Sequence, residues 1–153
     1  MLKSTLIYIE DAGRYLMLHR VSKSNDVNEG KWIGVGGKFE AGETPEKCAR
    51  REMYEETGLT PKALSYRGIV YFCSDSAPDE EMHLFTCTEY TGRVHECDEG
   101  VLEWVEKNAV SGLDLWEGDR VFLPLLQTRQ EVFSLKLVYA PGGALLETHM
   151  EES

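Results

Sequence analysis

Three glutamates within five residues, Glu52, Glu55 and Glu56, stand between a proline placed to open a helix and a glycine placed to close it. Residues 36–59 read GGKFEAGETPEKCARREMYEETGL, and from Gly37 onward the spacing is G-x5-E-x7-R-E-φ-x-E-E-x-G-φ, with Met53 as the first apolar φ. Thr44 followed by Pro45 reads as an N-cap and a first helical residue, because proline's missing N–H costs nothing there. Gly58 is placed to end the helix in a left-handed conformation. At about 100° per residue the three glutamates fall within roughly 100° of arc. Carboxylates crowded on one face repel one another, so an isolated helix would not choose them. A hard divalent cation reverses that sign, since oxygen donors at this spacing suit Mg²⁺, with Mn²⁺ as a substitute. A solvated acidic helix face would show the same run of glutamates. The paired glycines, which allow close backbone approach, and Glu43 with its cationic counterpart Arg51 favour a metal–diphosphate site.

This spacing resembles the signature of the Nudix hydrolases, enzymes that cleave a diphosphate bond in a nucleoside diphosphate joined to another group. The resemblance implies an α/β/α sandwich around a mixed β-sheet, a single domain over residues 1–153 and a Nudix box at 37–59. It also implies roles. Glu52 and Glu56 would bind Mg²⁺, and Glu52 or Glu55 would help deprotonate water. The Gly36 carbonyl would complete the coordination sphere, and Lys38 would approach the substrate phosphates. Arg51 would orient the glutamates through charge-assisted hydrogen bonds. Which glutamate serves as base differs among members and stays open.

Beyond the box the chain looks like the MutT type of Nudix enzyme, which removes oxidised purine nucleoside triphosphates such as 8-oxo-dGTP from the nucleotide pool and so belongs with DNA repair. The telling stretches are GKWIGVGGK at 30–38 and LWEGDRVFLPLL at 115–126. Carried across, Trp116 would stack on the base and Asp119 would hydrogen-bond to it. Taken without the resemblance, the tryptophan is a packing residue and the aspartate a cap or dipole partner. Glu99 would supply a further metal ligand or base, against an ordinary reading as a solvated turn acid. Arg20 matches a substrate-contacting cation in some relatives and reads equally as an ion-pair partner. Two departures bear on base choice: Ile33 replaces an asparagine that reads the base, and Gly118–Asp119 replaces two adjacent aspartates. Losing a buried partner changes discrimination by roughly 1–3 kcal/mol.

Other Nudix substrates remain as alternatives. ADP-ribose pyrophosphatases carry a proline about fifteen residues beyond the box, where this chain has Ser74-Asp75-Ser76 and Pro78 comes late. Dinucleoside polyphosphate hydrolases often carry a tyrosine there, and none occurs between Phe72 and Thr88. The upstream motif of coenzyme A diphosphatases is missing. A non-catalytic nucleotide-binding module commonly loses a box glutamate, whereas all three are present here.

Sixteen basic against twenty-seven acidic residues give a net charge of −11, which argues against duplex nucleic acid as a partner. A small-molecule nucleotide is compatible, because bound metal would neutralise the local acidic site. Cys48, Cys73, Cys87 and Cys97 lack C-x-x-C spacing, and His19, His83, His95 and His149 are scattered, so no zinc site is expected. Reduced thiols and an N-terminus without a signal peptide suggest a cytoplasmic protein. No stretch approaches the roughly 20 apolar residues of a membrane helix. Oligomeric state is not legible.

Period and punctuation predict strands at Thr5–Ile9 and Tyr15–His19 around a turn, a loop over Val21–Lys31 and an extended Trp32–Gly36. The helix Pro45–Thr57 follows, then strands Leu64–Cys73 and Met82–Tyr90 separated by a polar stretch containing Pro78. A strand at Val101–Val105 and a helix Arg120–Arg129, with Pro124 near its start, come next. Phe133–Ala140 and Ala144–His149 flank Pro141-Gly142-Gly143 as a terminal hairpin. Trp32 reads as packing, and Tyr8 and Tyr139 as core or surface aromatics.

Overall fold

The computed structural model describes residues 1–21, 30–75 and 77–151, so most of the loop expected at Val21–Lys31 lies outside the described residues. Eight strands form one mixed sheet: β1 (Leu2–Asp11), β2 (Arg14–His19), β3 (Trp32–Ile33), β4 (Thr60–Ser74), β5 (Ala77–Thr91), β6 (Val101–Glu106), β7 (Phe133–Tyr139) and β8 (Leu145–Glu151). Their order is β3-β2-β1-β5-β4-β7-β8, with β6 paired to β2. Strand β1 runs parallel to β5, and β4 parallel to β7, while the remaining pairs are antiparallel.

The apolar run of β1 is continuous because the sheet is covered on both faces. Leu6 and Tyr8 point into a core shared with Phe122, Leu123 and Leu126 of helix α2 (Glu117–Thr128). Ile7 and Ile9 point the other way, against Ala49 and Met53 of helix α1 (Pro45–Thr57). This is the expected α/β/α layering. Among the described residues no helix is long and apolar enough to cross a membrane.

Helix α1 runs over the predicted span. Thr44 caps it by accepting from the Lys47 N–H at 3.2 Å. Gly58 closes it at φ 82, and a Cβ there would lie 2.5 Å from the His95 ring. Elsewhere tertiary pairing overrode local signals. Pro78 falls inside β5 rather than in a separating stretch, and β4 and β5 are each 15 residues long because they pair along nearly their whole length. Helix α2 starts three residues before the expected Arg120, so Pro124 lies in its interior. Proline removes one ladder bond there. Separately, Arg67 caps the far end of the helix, donating to the carbonyls of Leu126 and Arg129. The expected β1–β2 hairpin pairs at only two positions before the strands diverge, and a 3-10 helix at Lys107–Gly112 carried no sequence signal.

Candidate functional site

The loop from Gly36 to Glu43 lies against the edge of β1 and under the glutamate face of α1. Backbone bonds from Thr5 N to Gly37 O (2.9 Å) and from Phe39 N to Lys3 O (3.0 Å) lay the loop along the strand. The approach leaves no space for side chains. A Cβ on Gly36 would meet Thr5 O at 2.0 Å, and one on Gly37 would meet the Glu52 carboxyl at 2.5 Å.

Arg51 ties this loop to the helix. It grips Glu43 with two hydrogen bonds, Nε to Oε2 at 2.7 Å and Nη2 to Oε1 at 2.9 Å. Nη1 reaches Glu52 at 2.7 Å and Glu55 at 3.1 Å, and Nη2 donates to the Lys38 carbonyl at 3.1 Å. The guanidinium, helped by the Glu40 N–H, holds the Glu43 carboxyl down at about 2.

Glu56 experiences the opposite environment. It is 8% exposed, and its carboxylate accepts from the Gly36 N–H at 3.3 Å. Burial first, then the charges of Glu99 and Glu52, push its carboxyl up to about 8, against the smaller pull of Gly36 and Arg20. Burial likewise raises Glu52. Glu99, in the turn after Asp98, accepts from Arg20 Nη1 at 3.0 Å. Thus Glu52, Glu56 and Glu99 are mutually repulsive neighbours, and arginines hold two of them.

The structure therefore brings Gly36, Arg51, Glu52, Glu55, Glu56, Glu99 and Arg20 together, with Lys38 exposed on the loop beside them. Among the described residues no three His, Cys, Asp or Glu side chains converge as a ready metal cage. The donor set nevertheless fits a hard divalent ion, being all oxygen, partly buried and repulsive without a cation. Glu55 lies furthest out, its side chain 54% exposed on Arg51.

A second region forms where α2 begins. Trp116 lines a cavity of about 380 Å³ with Lys31, Leu115, Glu117 and the turn at residues 141–143. The Tyr139 ring meets the Trp116 ring edge-on at 6.3 Å, and its hydroxyl accepts from the Gly118 N–H at 2.8 Å. A Cβ on Gly118 would lie 2.4 Å from that hydroxyl, so the aromatic takes the space beside the missing second aspartate. Asp119 is 5% exposed; its N–H donates to Trp116 O at 3.0 Å, and its carboxyl makes no side-chain hydrogen bond among the described residues. Burial pushes its carboxyl up to about 7, opposed by Lys31 and then Arg120. Asp119 follows the lining residues Trp116 and Glu117 along the first turn of α2 and is not itself among the lining residues.

Trp32 packs as expected, its ring stacked on His19 at 4.2 Å. Lys31 and Tyr139 were missed as site residues. Lys31 falls within the telling stretch at 30–38 but the resemblance gives it no role, and Tyr139 arrives from a strand, twenty-two residues beyond α2's start.

A sequence model of the NUDIX domain matches residues 2–126. A protein of Danio rerio named oxidized purine nucleoside triphosphate hydrolase is 33% identical over 123 residues, covering 80% of this chain and 77% of that protein. An ADP-ribose pyrophosphatase of Bacillus subtilis is 37% identical over 106 residues, covering 68% of this chain and 51% of that protein. The crystal structure of a MutT protein from Bacillus halodurans superposes with a TM-score of 0.88 at 28% identity, covering 99% of this chain and 98% of that one.

Proposed function

This chain belongs to the NUDIX family of hydrolases, and we propose that it cleaves oxidised purine nucleoside triphosphates, such as 8-oxo-dGTP, to the monophosphate and pyrophosphate with Mg²⁺. The observation that carries the reading is the pairing of two unlike sites: a repulsive carboxylate cluster and a tryptophan-lined cavity at the first turn of α2, which also carries the buried Asp119. The similarity to the Danio rerio hydrolase supports the substrate class.

Glu52, Glu56 and Glu99, with the Gly36 carbonyl, would hold the ion, which when bound supplies a Lewis acid and lowers the pKa of attacking water. Arg51 fixes Glu52 and Glu55, so whichever takes the water's proton does so from a set position. Lys38 and Arg20 provide cationic charge for the phosphates, and Gly36 and Gly37 let backbone approach them. Trp116 offers a face for stacking. Asp119, when ionised, accepts from base N–H groups, and an unmatched base would leave it desolvated without a partner.

The identity with an ADP-ribose pyrophosphatase supports a second reading, hydrolysis of a nucleoside diphosphate sugar at the same carboxylates. Hydrolysis in ¹⁸O-labelled water, across oxidised and ordinary nucleotides and ADP-ribose, separates the two. Pyrophosphate released from 8-oxo-dGTP in preference to dGTP is expected. Orthophosphate as primary product, or preference for ADP-ribose, would overturn the substrate assignment.

A further inference from the structure

The loop over residues 36–43 is fastened by its backbone: to β1 through Gly37 O and Phe39 N, and to α1 through Lys38 O. Its one aromatic side chain, Phe39, makes a further contact. The ring packs on His83 of β5, with centroids 5.7 Å apart and planes tilted by 36°. Strand β1 lies between the two, Ser4 bridging to Lys38 and Thr5 pairing with His83. The Phe39 side chain therefore reaches over β1 to a residue of the next strand.

His83 is a costly residue for this place. The same face of β5 carries Phe85 and Cys87, both in the apolar core under α1, and His83 is only 9% exposed. A buried imidazole needs partners for its ring nitrogens, and both are engaged. Nδ1 lies 2.8 Å from the Tyr66 hydroxyl of β4, and Nε2 lies 3.0 Å from Glu81 Oε2, two residues earlier on β5. A carboxylate only accepts, so Nε2 carries the proton and Nδ1 of the neutral ring accepts from the phenol. Tyr66 is itself set edge-on against Phe85, with centroids 5.3 Å apart and planes at 74°. Packing alone would be served by an apolar side chain, which needs no partners. What the bonded imidazole adds is a fixed ring plane beneath Phe39.

We propose that His83 is a positioning residue for the metal loop: locked between Tyr66 and Glu81, its ring seats Phe39 and so sets where Gly36 and Lys38 stand at the carboxylates. Phe39 follows Lys38 directly, and Arg51 holds the Lys38 carbonyl at 3.1 Å. A shift of Phe39 is thus passed to the guanidinium that also grips Glu52 and Glu55. Groups behind the ligands of a metal tune its binding by holding those ligands in place. This rests on the reading under Proposed function that the Gly36 carbonyl and the glutamates hold a divalent ion.

The test needs no nucleotide. Mn²⁺ binding, read by titration calorimetry, should weaken about 10-fold in Phe39→Leu and in His83→Leu. The double variant should be no weaker than the worse single one, because both substitutions break one contact. Tyr66→Phe leaves the ring and removes one bond, so it should weaken binding about 3-fold. That variant and Phe39→Leu carry the test should His83→Leu not fold. In turnover, the Mg²⁺ concentration giving half-activity should rise by similar factors, with kcat near wild type once Mg²⁺ saturates and the preference among nucleotides unmoved. A lower melting temperature with unchanged Mn²⁺ affinity would make His83 merely structural and overturn its role. Additive losses in the double variant would overturn the route through Phe39. A wild type that binds no Mn²⁺ would overturn the metal site, and the role of His83 with it. Preference for ADP-ribose beside the expected Mn²⁺ losses would overturn only the substrate assignment.

Discussion

The two ends of the site handle buried charge in opposite ways. At the loop–helix end, one arginine holds Glu43, Glu52 and Glu55 within 3.1 Å, and a second holds Glu99. At the α2 end, the buried Asp119 carboxyl has no such ion pair or side-chain hydrogen bond among the described residues. The first end is scaffolded before any ligand arrives, its remaining repulsion centred on Glu56. The second leaves a carboxyl near its ionisation point, ready to be satisfied by what binds. On the function proposed above, chemistry that tolerates many bases would belong at the first end, and choice among bases at the second.

The largest expected effect comes from breaking the first end. Glu56→Gln should cost roughly 10²- to 10³-fold in kcat by weakening charge stabilisation. Its melting temperature without metal should hold or rise, because burial, Glu99 and Glu52 all oppose that charge. An active variant, or an unfolded one, would contradict the assignment; kinetics across a Mg²⁺ titration beside thermal melts decide it. Arg51→Lys should follow, with a loss of about 10- to 100-fold and a lower melting temperature. An ammonium cannot reproduce the fork that spans Glu43, Glu52 and Lys38 O. Retained activity would mean that the scaffold does not set the glutamates.

At the second end, Trp116→Ala removes stacking worth about 1–3 kcal/mol. KM should rise for all purine nucleotides alike, read by steady-state kinetics on 8-oxo-dGTP, dGTP and dATP. A loss confined to one base would make the tryptophan a directional reader instead. A further effect is read in stability rather than in turnover. Because burial raises Asp119 from 3.8 to about 7, the folded state binds the proton more tightly than the unfolded chain. Stability is therefore full below about pH 4 for this group and falls as pH rises to about 7, by about 4 kcal/mol at most. Asp119→Asn should remove that decline, measured as the difference between the two urea-melt series.

These two ends were unequally legible in the sequence. Residues 36–58 are contiguous, so the spacing of Gly37, Glu43, Arg51 and the three glutamates carried helix, caps and ion pairs together. Glu99 and Arg20 came from the family resemblance, since their pairing joins a turn to a distant strand end. Lys31 and Tyr139 were not readable as site residues, because only the sheet order that sets β7 beside β4, and the backbone bond from Trp32 to Asp114, bring them to Trp116. Misplaced boundaries had a similar origin. Pro78 marks a break locally, but the long β4–β5 pairing absorbs it, and α2 carries Pro124 in its interior because it starts at Glu117, three residues before the expected Arg120.

The division between a chemistry end and a selecting end is tested most directly by kcat/KM for 8-oxo-dGTP and dGTP in wild type and Asp119→Ala. The account predicts that Asp119→Ala narrows the gap between the two substrates by lowering the oxidised one more, while turnover at saturation persists. An equal fall for both, with the gap unchanged, would make Asp119 a structural residue of α2 and contradict the account.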